Sequence, residues 1–152
     1  MVSLDTNFTI EEMRRSDIDA VSIIEEECFS LPWSKRSLLE AFSHTPWAFF
    51  VARVQKKVVG YGGVYLILDE GQISNIAVLP AFRHMGIGQA ILERIISHCN
   101  ENGASKITLE LRESNNAAYA LYEKLGFFKV GARPNYYQNP TESAILMDKD
   151  LK

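Results

Sequence analysis

The sequence predicts a mixed α/β fold in the order βααβββαβαββ, a central, mostly antiparallel mixed sheet flanked by helices. Three observations carry that expectation. Segments 48–54, 58–68 and 72–78 are rich in Val, Ile, Tyr and Phe and are separated by Gln-Lys-Lys and Asp-Glu-Gly turns, the pattern of an antiparallel meander. Apolar residues recur at helical spacing before and after this meander. A strand–helix–strand unit runs from Gln72 to Arg112 and places a glycine-containing turn at the start of its helix.

Taken in order, Phe8-Thr9-Ile10 is a short strand. Ser16 and Asp17 are candidate caps for a helix whose Ile18, Val21, Ile24 and Cys28 share one face. It ends before Leu31-Pro32-Trp33. Ser34 caps a second helix reaching about His44, and Pro46 marks its end. After the meander, Ile87, Ile91 and Ile95 lie on one line with Leu92, Ile96 and Cys99 beside them, and Asn102-Gly103 supplies a left-handed terminus. In segment 106–112, Ile107, Leu109 and Leu111 face one way, while Thr108, Glu110 and Arg112 face the other. Asn115 or Asn116 caps a short helix with Tyr119, Leu121, Tyr122 and Leu125, and Gly126 closes it. Strands at about 127–137 and 143–148 complete the set.

The chain has 152 residues, 47% hydrophobic and 23% charged, enough for one core and too short for two ordinary domains. A single domain over residues 1–152 is expected. The net charge of -3 gives no general attraction to nucleic acid, so direct nucleic-acid binding is not expected. Met1-Val2-Ser3-Leu4-Asp5 lacks the basic and apolar segments of a leader, and no apolar run is long enough to span a bilayer. A cytoplasmic protein without membrane contact is the expectation. Cys28 and Cys99 match no zinc-ligand spacing and are expected as free buried thiols. His44 and His98 fall on surface helix positions, and no metal site is expected.

Arg83-His84-Met85-Gly86-Ile87-Gly88 follows a predicted strand and opens a predicted helix. Unpaired N–H groups and the positive dipole end of a helix start suit a diphosphate. Glycines at 86 and 88 let oxygens approach the backbone, and Arg83 adds a full charge. A plain tight turn is the competing explanation. A nucleoside-triphosphate loop is excluded because no Gly-Lys-Ser/Thr follows, and position 91 is Ile where a dinucleotide fingerprint needs a small residue.

Several further motifs stand in register with this turn: Asn75-Ile76-Ala77-Val78, Pro80, Leu109-Glu110-Leu111-Arg112, Ser114-Asn115, Ala118 and Leu121-Tyr122-Glu123-Lys124-Leu125-Gly126-Phe127. In order and spacing they resemble the GCN5-related N-acetyltransferase superfamily. Leu31-Pro32-Trp33-Ser34 and Arg133-x-Asn135-Tyr136-Tyr137 are similar to the bacterial ribosomal-protein-alanine N-acetyltransferases within it, and the resemblance covers nearly the whole chain. It implies acetyl-CoA as co-substrate, with the backbone of Ile76, Ala77 and Val78 along the pantetheine arm. His84, Met85, Gly86, Ile87, Gly88 and Gln89 would cradle the pyrophosphate, and Asn115 would meet the cofactor near its thiol end. The family often carries an acidic pair before the final strand, where this chain reads Glu142-Ser143.

An amine attacks a thioester only when unprotonated, so the reaction needs a proton acceptor, a donor for the departing thiolate and hydrogen bonding to the thioester oxygen. The resemblance implies Glu110 as the base; on pattern alone an exposed carboxylate paired with Arg112 is the simpler reading. It implies Tyr122 as the acid, against the alternative of a core aromatic. Trp33 is either a core aromatic or a wall of the acceptor cleft. Tyr136 and Tyr137 point to opposite sides of a strand, so one is expected in that cleft, with Arg133 beside it.

The implied acceptor is a protein N-terminus, most specifically the N-terminal alanine of ribosomal protein eighteen of the small subunit. A monomer or weak dimer is expected. A small-molecule amine, a lysine side chain, or a non-catalytic acetyl-CoA-binding role are the competing functions. Binding alone requires neither Glu110 nor Tyr122.

Overall fold

A computed structural model describes residues 7–44 and 46–151. The opening Met1–Asp5 segment lies outside the described residues. The elements are β1 (Thr9–Glu12), α1 (Ile18–Cys28), α2 (Lys35–Phe42), β2 (Trp47–Val54), β3 (Lys57–Ile67), β4 (Glu70–Val78), α3 (Ile87–Glu101), β5 (Lys106–Arg112), α4 (Asn116–Lys124), β6 (Phe128–Tyr137) and β7 (Glu142–Asp150). Their order is the one expected. They form a seven-stranded mixed sheet in the order β1-β2-β3-β4-β5-β7-β6. β1 and β2 pair antiparallel, as do β5 with β7 and β6 with β7, whereas β4 and β5 run parallel.

The turns are tighter than the sequence suggests. Gln55 and Lys56 both take positive φ, at 48° and 73°, which is the two-residue hairpin geometry whose twist matches the flanking strands. Lys57 therefore belongs to β3. Leu68, at φ 55°, and Asp69 connect β3 to β4, so Glu70 and Gly71 are strand residues. Connections this short permit only antiparallel neighbours, which makes β2, β3 and β4 a meander.

The chain divides into two compact units. One contains the chain up to Val64 together with Asn75–Ile95, and its core includes Val21, Ile24, Leu38, Phe50, Val59, Ile87, Ile91 and Leu92, all nearly inaccessible. Each such side chain contributes roughly 1.5–3 kcal/mol of burial free energy. α1 starts without the side-chain cap expected of Ser16 or Asp17. Asp17 sits in a 3-10 turn, Arg15–Asp17, with helical φ of -87° and ψ of -9°, so its carboxylate turns back. It accepts from the Arg14 N–H at 2.8 Å and from Arg53 at 2.7 Å. Ser34 does cap α2, its hydroxyl accepting the Ser37 N–H at 3.0 Å.

The second unit contains Tyr65–Ser74 and the chain from Ile96 on. Ile107, Leu109 and Leu111 of β5 are buried while Glu110 is exposed, the alternation its sequence predicts. β5 pairs along its length with β7, Glu110 opposite Leu146 and Arg112 opposite Ala144. Asn115 caps α4 by accepting the Ala118 N–H at 3.2 Å, and Gly126 closes it at φ 98°. Cys99 is buried, Cys28 is half-buried, and both are free thiols.

Candidate active site

In the first unit, β4 leads through Leu79 and the 3-10 turn Pro80–Phe82 into the turn 83–89. His84 and Gly86 take φ of 65° and 83°, which curls the backbone before Ile87 starts α3. The Gly86 carbonyl accepts the first helical bond, from the Ala90 N–H at 3.0 Å. By helix geometry the N–H groups of Ile87, Gly88 and Gln89 precede any intrahelical acceptor. A Cβ built on Gly86 meets nothing within 4 Å, so the turn opens onto clear space. His84, Met85 and Gly86 are exposed and Ile87 is buried, anchoring the helix beneath them. Arg83 folds back, Nε donating to the Val78 carbonyl at 2.9 Å and Nη2 lying 3.6 Å from Cys28 Sγ. Burial pushes the Cys28 thiol up despite Arg83. In β4, Ala77 is buried and Ile76 and Val78 are half-buried.

The same unit carries the segment with Trp33. Its half-buried indole meets Trp47 edge-on at 5.3 Å and Phe49 at 6.5 Å, and Trp47 stacks on Phe49 at 5.4 Å. Trp33 is thus packed on one side and accessible on the other. Beneath it lies Glu25, fully buried. Sequence reasoning missed this carboxylate among Glu25-Glu26-Glu27. The available signal was its spacing, four residues after Val21 and three before Cys28, on the apolar face of α1.

In the second unit, Glu110 projects from the exposed face of β5. Burial pushes the Tyr137 phenol up to about 12, with the Glu110 charge adding to the rise. Tyr122 is nearly inaccessible, held edge-on to Phe127 at 5.6 Å, and its phenol is pushed up by burial and then by Tyr137. Tyr137 thus feels the charge of Glu110 and in turn raises Tyr122. Tyr136 is exposed, perpendicular to Tyr137 with centroids 5.0 Å apart, and Arg133 lies 5.4 Å over its ring.

The sequence offers Arg112 as a partner for its strand neighbour Glu110, but it makes hydrogen bonds elsewhere. It reaches the β6–β7 connection, donating to the Gln138 carbonyl at 2.7 Å, the Pro140 carbonyl at 2.9 Å and Glu142 at 3.2 Å, beneath the Tyr137 ring at 4.7 Å. Glu142 also accepts the Ser114 N–H at 2.5 Å, and these bonds, Ser114 first, hold its carboxyl below the usual range. Among the described residues no group of His, Cys, Asp and Glu is disposed to hold a metal ion. Nor is any described helix long and apolar enough to cross a membrane.

The acetyltransferase (GNAT) family model matches residues 18–127. The [ribosomal protein bS18]-alanine N-acetyltransferase of Escherichia coli (strain K12) is 34% identical over 141 residues, covering 91% of this chain and 95% of that protein. The crystal structure of the ribosomal-protein-S18-alanine N-acetyltransferase from Escherichia coli superposes with a TM-score of 0.89 at 32% identity, over 96% of this chain and 95% of that one. Ard1 from Thermoplasma volcanium gives the same TM-score at 29% identity, over 95% and 98% of the two chains. A family model spanning most of the chain, a relative at this identity over nearly its full length, and a shared fold establish that the chain belongs to the GNAT family of acetyltransferases.

Proposed function

We propose that the protein acetylates the α-amino group of a protein N-terminus, with the N-terminal alanine of ribosomal protein eighteen of the small subunit as its substrate. The Escherichia coli relative bearing that name supports the substrate. The observation that carries the chemistry is the exposure of Glu110 on β5 together with the buried, protonated phenol of Tyr122, with Tyr137 influenced by the one and influencing the other. Residues 1–152 act as one acetyltransferase domain in this reading, supported by a family match that runs through both compact units.

The turn 83–89 fits the diphosphate of acetyl-CoA, because the space a side chain at Gly86 would fill is clear and the α3 dipole points into it. His84, Met85, Gly86, Ile87, Gly88 and Gln89 would hold that group, and Arg83, whose guanidinium is turned back onto the Val78 carbonyl and Cys28, would have to swing out to add its charge. Ile76, Ala77 and Val78 offer backbone to the pantetheine arm. Their position supports this, since β4 ends at Val78 and leads through Leu79 and Pro80–Phe82 directly into the turn 83–89. The Asn115 oxygen is engaged as the α4 cap, which leaves its amide NH2 as the donor toward the cofactor's thiol end. When bound, acetyl-CoA supplies an acyl group activated as a thioester.

Glu110 takes the proton of the incoming amine, directly or through water. An α-amino group has a pKa of about 7.7–8.0 and lysine about 10.4, so freeing lysine of its proton requires roughly 3–4 kcal/mol more. A single solvent-facing carboxylate suits the easier acceptor. Tyr122 keeps its proton throughout the neutral range and presents it to the departing sulfur. Because burial makes that phenol a weaker acid, its contribution is greatest as a hydrogen-bond donor to developing charge. Trp33, Arg133, Tyr136 and Tyr137 supply walls and donors for an extended peptide.

Mass spectrometry of protein N-termini from cells with and without the gene tests the substrate. The expected result is loss of the acetyl group from the alanine of ribosomal protein eighteen. An unchanged N-terminus there would remove that substrate and leave the acetyltransferase.

A further inference from the structure

A buried carboxylate is unfavourable unless donors replace its hydration. Glu25 is completely inaccessible, and three donors converge on it from three parts of the first unit. Its Oε1 accepts the main-chain N–H of Trp33 at 2.7 Å. Its Oε2 accepts the Tyr61 hydroxyl from β3 and Asn75 Nδ2 from β4, the latter at 3.0 Å. One oxygen therefore holds the connection between α1 and α2, and the other holds the sheet. Tyr61 extends the arrangement into the aromatic cluster, lying 6.4 Å from Phe49, which also meets the Trp33 ring.

We propose that Glu25 is a positioning residue of the acceptor site: its two oxygens fasten Trp33 to strands β3 and β4, fixing the connection on which the peptide lies. The inference rests on the acceptor role given to Trp33 above. A hydrophobic residue would fill the same space without leaving ionic groups buried, so stability alone does not account for the carboxylate. Its distinctive property is having two acceptor oxygens. Glutamine keeps the shape and one oxygen, but turns an NH2 group toward a donor, so it cannot serve both sides.

The test is a double-mutant cycle on peptide acetylation with Glu25→Gln, Trp33→Ala and the pair. Glu25→Gln is expected to raise the peptide KM by about tenfold or more, with kcat and acetyl-CoA affinity each changed by less than about threefold. Trp33→Ala should raise the KM similarly, and the pair no further than the larger single effect. A purely structural role would lower the melting temperature without producing this split or this non-additivity. An unchanged KM in folded Glu25→Gln, or two effects that multiply, would overturn the proposal. If Glu25→Gln does not fold, Tyr61→Phe takes its place in the same cycle, with the same outcomes deciding. Wild-type protein that acetylates no peptide would instead overturn the functional reading, and is scored before any variant.

Discussion

Glu110 and Tyr122, the proposed base and acid, are placed by opposite means. Glu110 is exposed because strand alternation turns it away from Leu109 and Leu111, whereas Tyr122 is buried against Phe127 by the register of a short helix. Glu110→Gln and Tyr122→Phe should each lower kcat by about 10²–10⁴-fold while leaving acetyl-CoA affinity nearly unchanged. For Glu110→Gln the defect should shrink at alkaline pH, where the amine loses its proton unaided. Wild-type turnover at neutral pH would remove the role from either residue. The wild-type pH profile follows from the same groups. Burial pushes Tyr137 up to about 12 and raises Tyr122 as well, so both phenols stay protonated as the α-amine titrates at about 7.7–8.0. The rate should rise through that range and hold to about pH 10; a fall near pH 8 or 9 would contradict the protonated-tyrosine role.

Among the elements, the turn 83–89 is the proposed acetyl-CoA site and the β6–β7 connection is the proposed peptide contact, and each is tested by itself. Gly88→Val puts a branched side chain where phosphate oxygens approach and should weaken acetyl-CoA by at least about tenfold in calorimetry on the folded variant. Unchanged affinity would remove the turn from the site. Arg112 holds the Gln138 and Pro140 carbonyls and Glu142 together. Arg112→Ala should loosen this connection, raising the peptide KM while acetyl-CoA affinity is kept, and a steady-state titration of both substrates measures the difference. How legible such elements are depends on how local their causes are. The Ser34 and Asn115 caps were readable because each cap bonds a residue three positions on. Asp17 was misread because a 3-10 turn places it in helical conformation before α1 begins and Arg53, distant in sequence, takes its carboxylate. Glu25 was hidden in a run of three glutamates that looks solvated, and Arg112 seemed the partner of its neighbour on the strand. The spacing of Glu25 from Val21 and Cys28 marks it as inward-facing, but its partners, like those of Arg112, lie across the fold where no local spacing encodes them.

The balance of the whole molecule carries a signature of these buried phenols. Tyr61, Tyr122 and Tyr137 all have raised pKa values in the folded state, chiefly through burial. Each binds its proton more tightly folded than unfolded, so its contribution is complete below about pH 10 and is lost as pH rises toward the folded values. Denaturant unfolding should therefore show a midpoint that is steady near pH 8–9 and drops steeply by about pH 11, and a flat profile would contradict the burial. On the acid side, Glu11 and Glu142 are held below 4.5 by their hydrogen bonds, Thr9 first for Glu11 and Ser114 first for Glu142. Their contributions are present above that value and are lost as pH falls. The proposed transfer of acetyl to an α-amine is decided by kcat/KM on synthetic peptides with acetyl-CoA. The set compares peptides that differ only at residue one, an N-terminally blocked peptide with an internal lysine, and a small polyamine. The alanine-starting peptide is expected to give the highest value, with lower values as the first side chain grows and almost none for the blocked peptide. A blocked lysine peptide or polyamine that proves the better acceptor would contradict transfer to an α-amine.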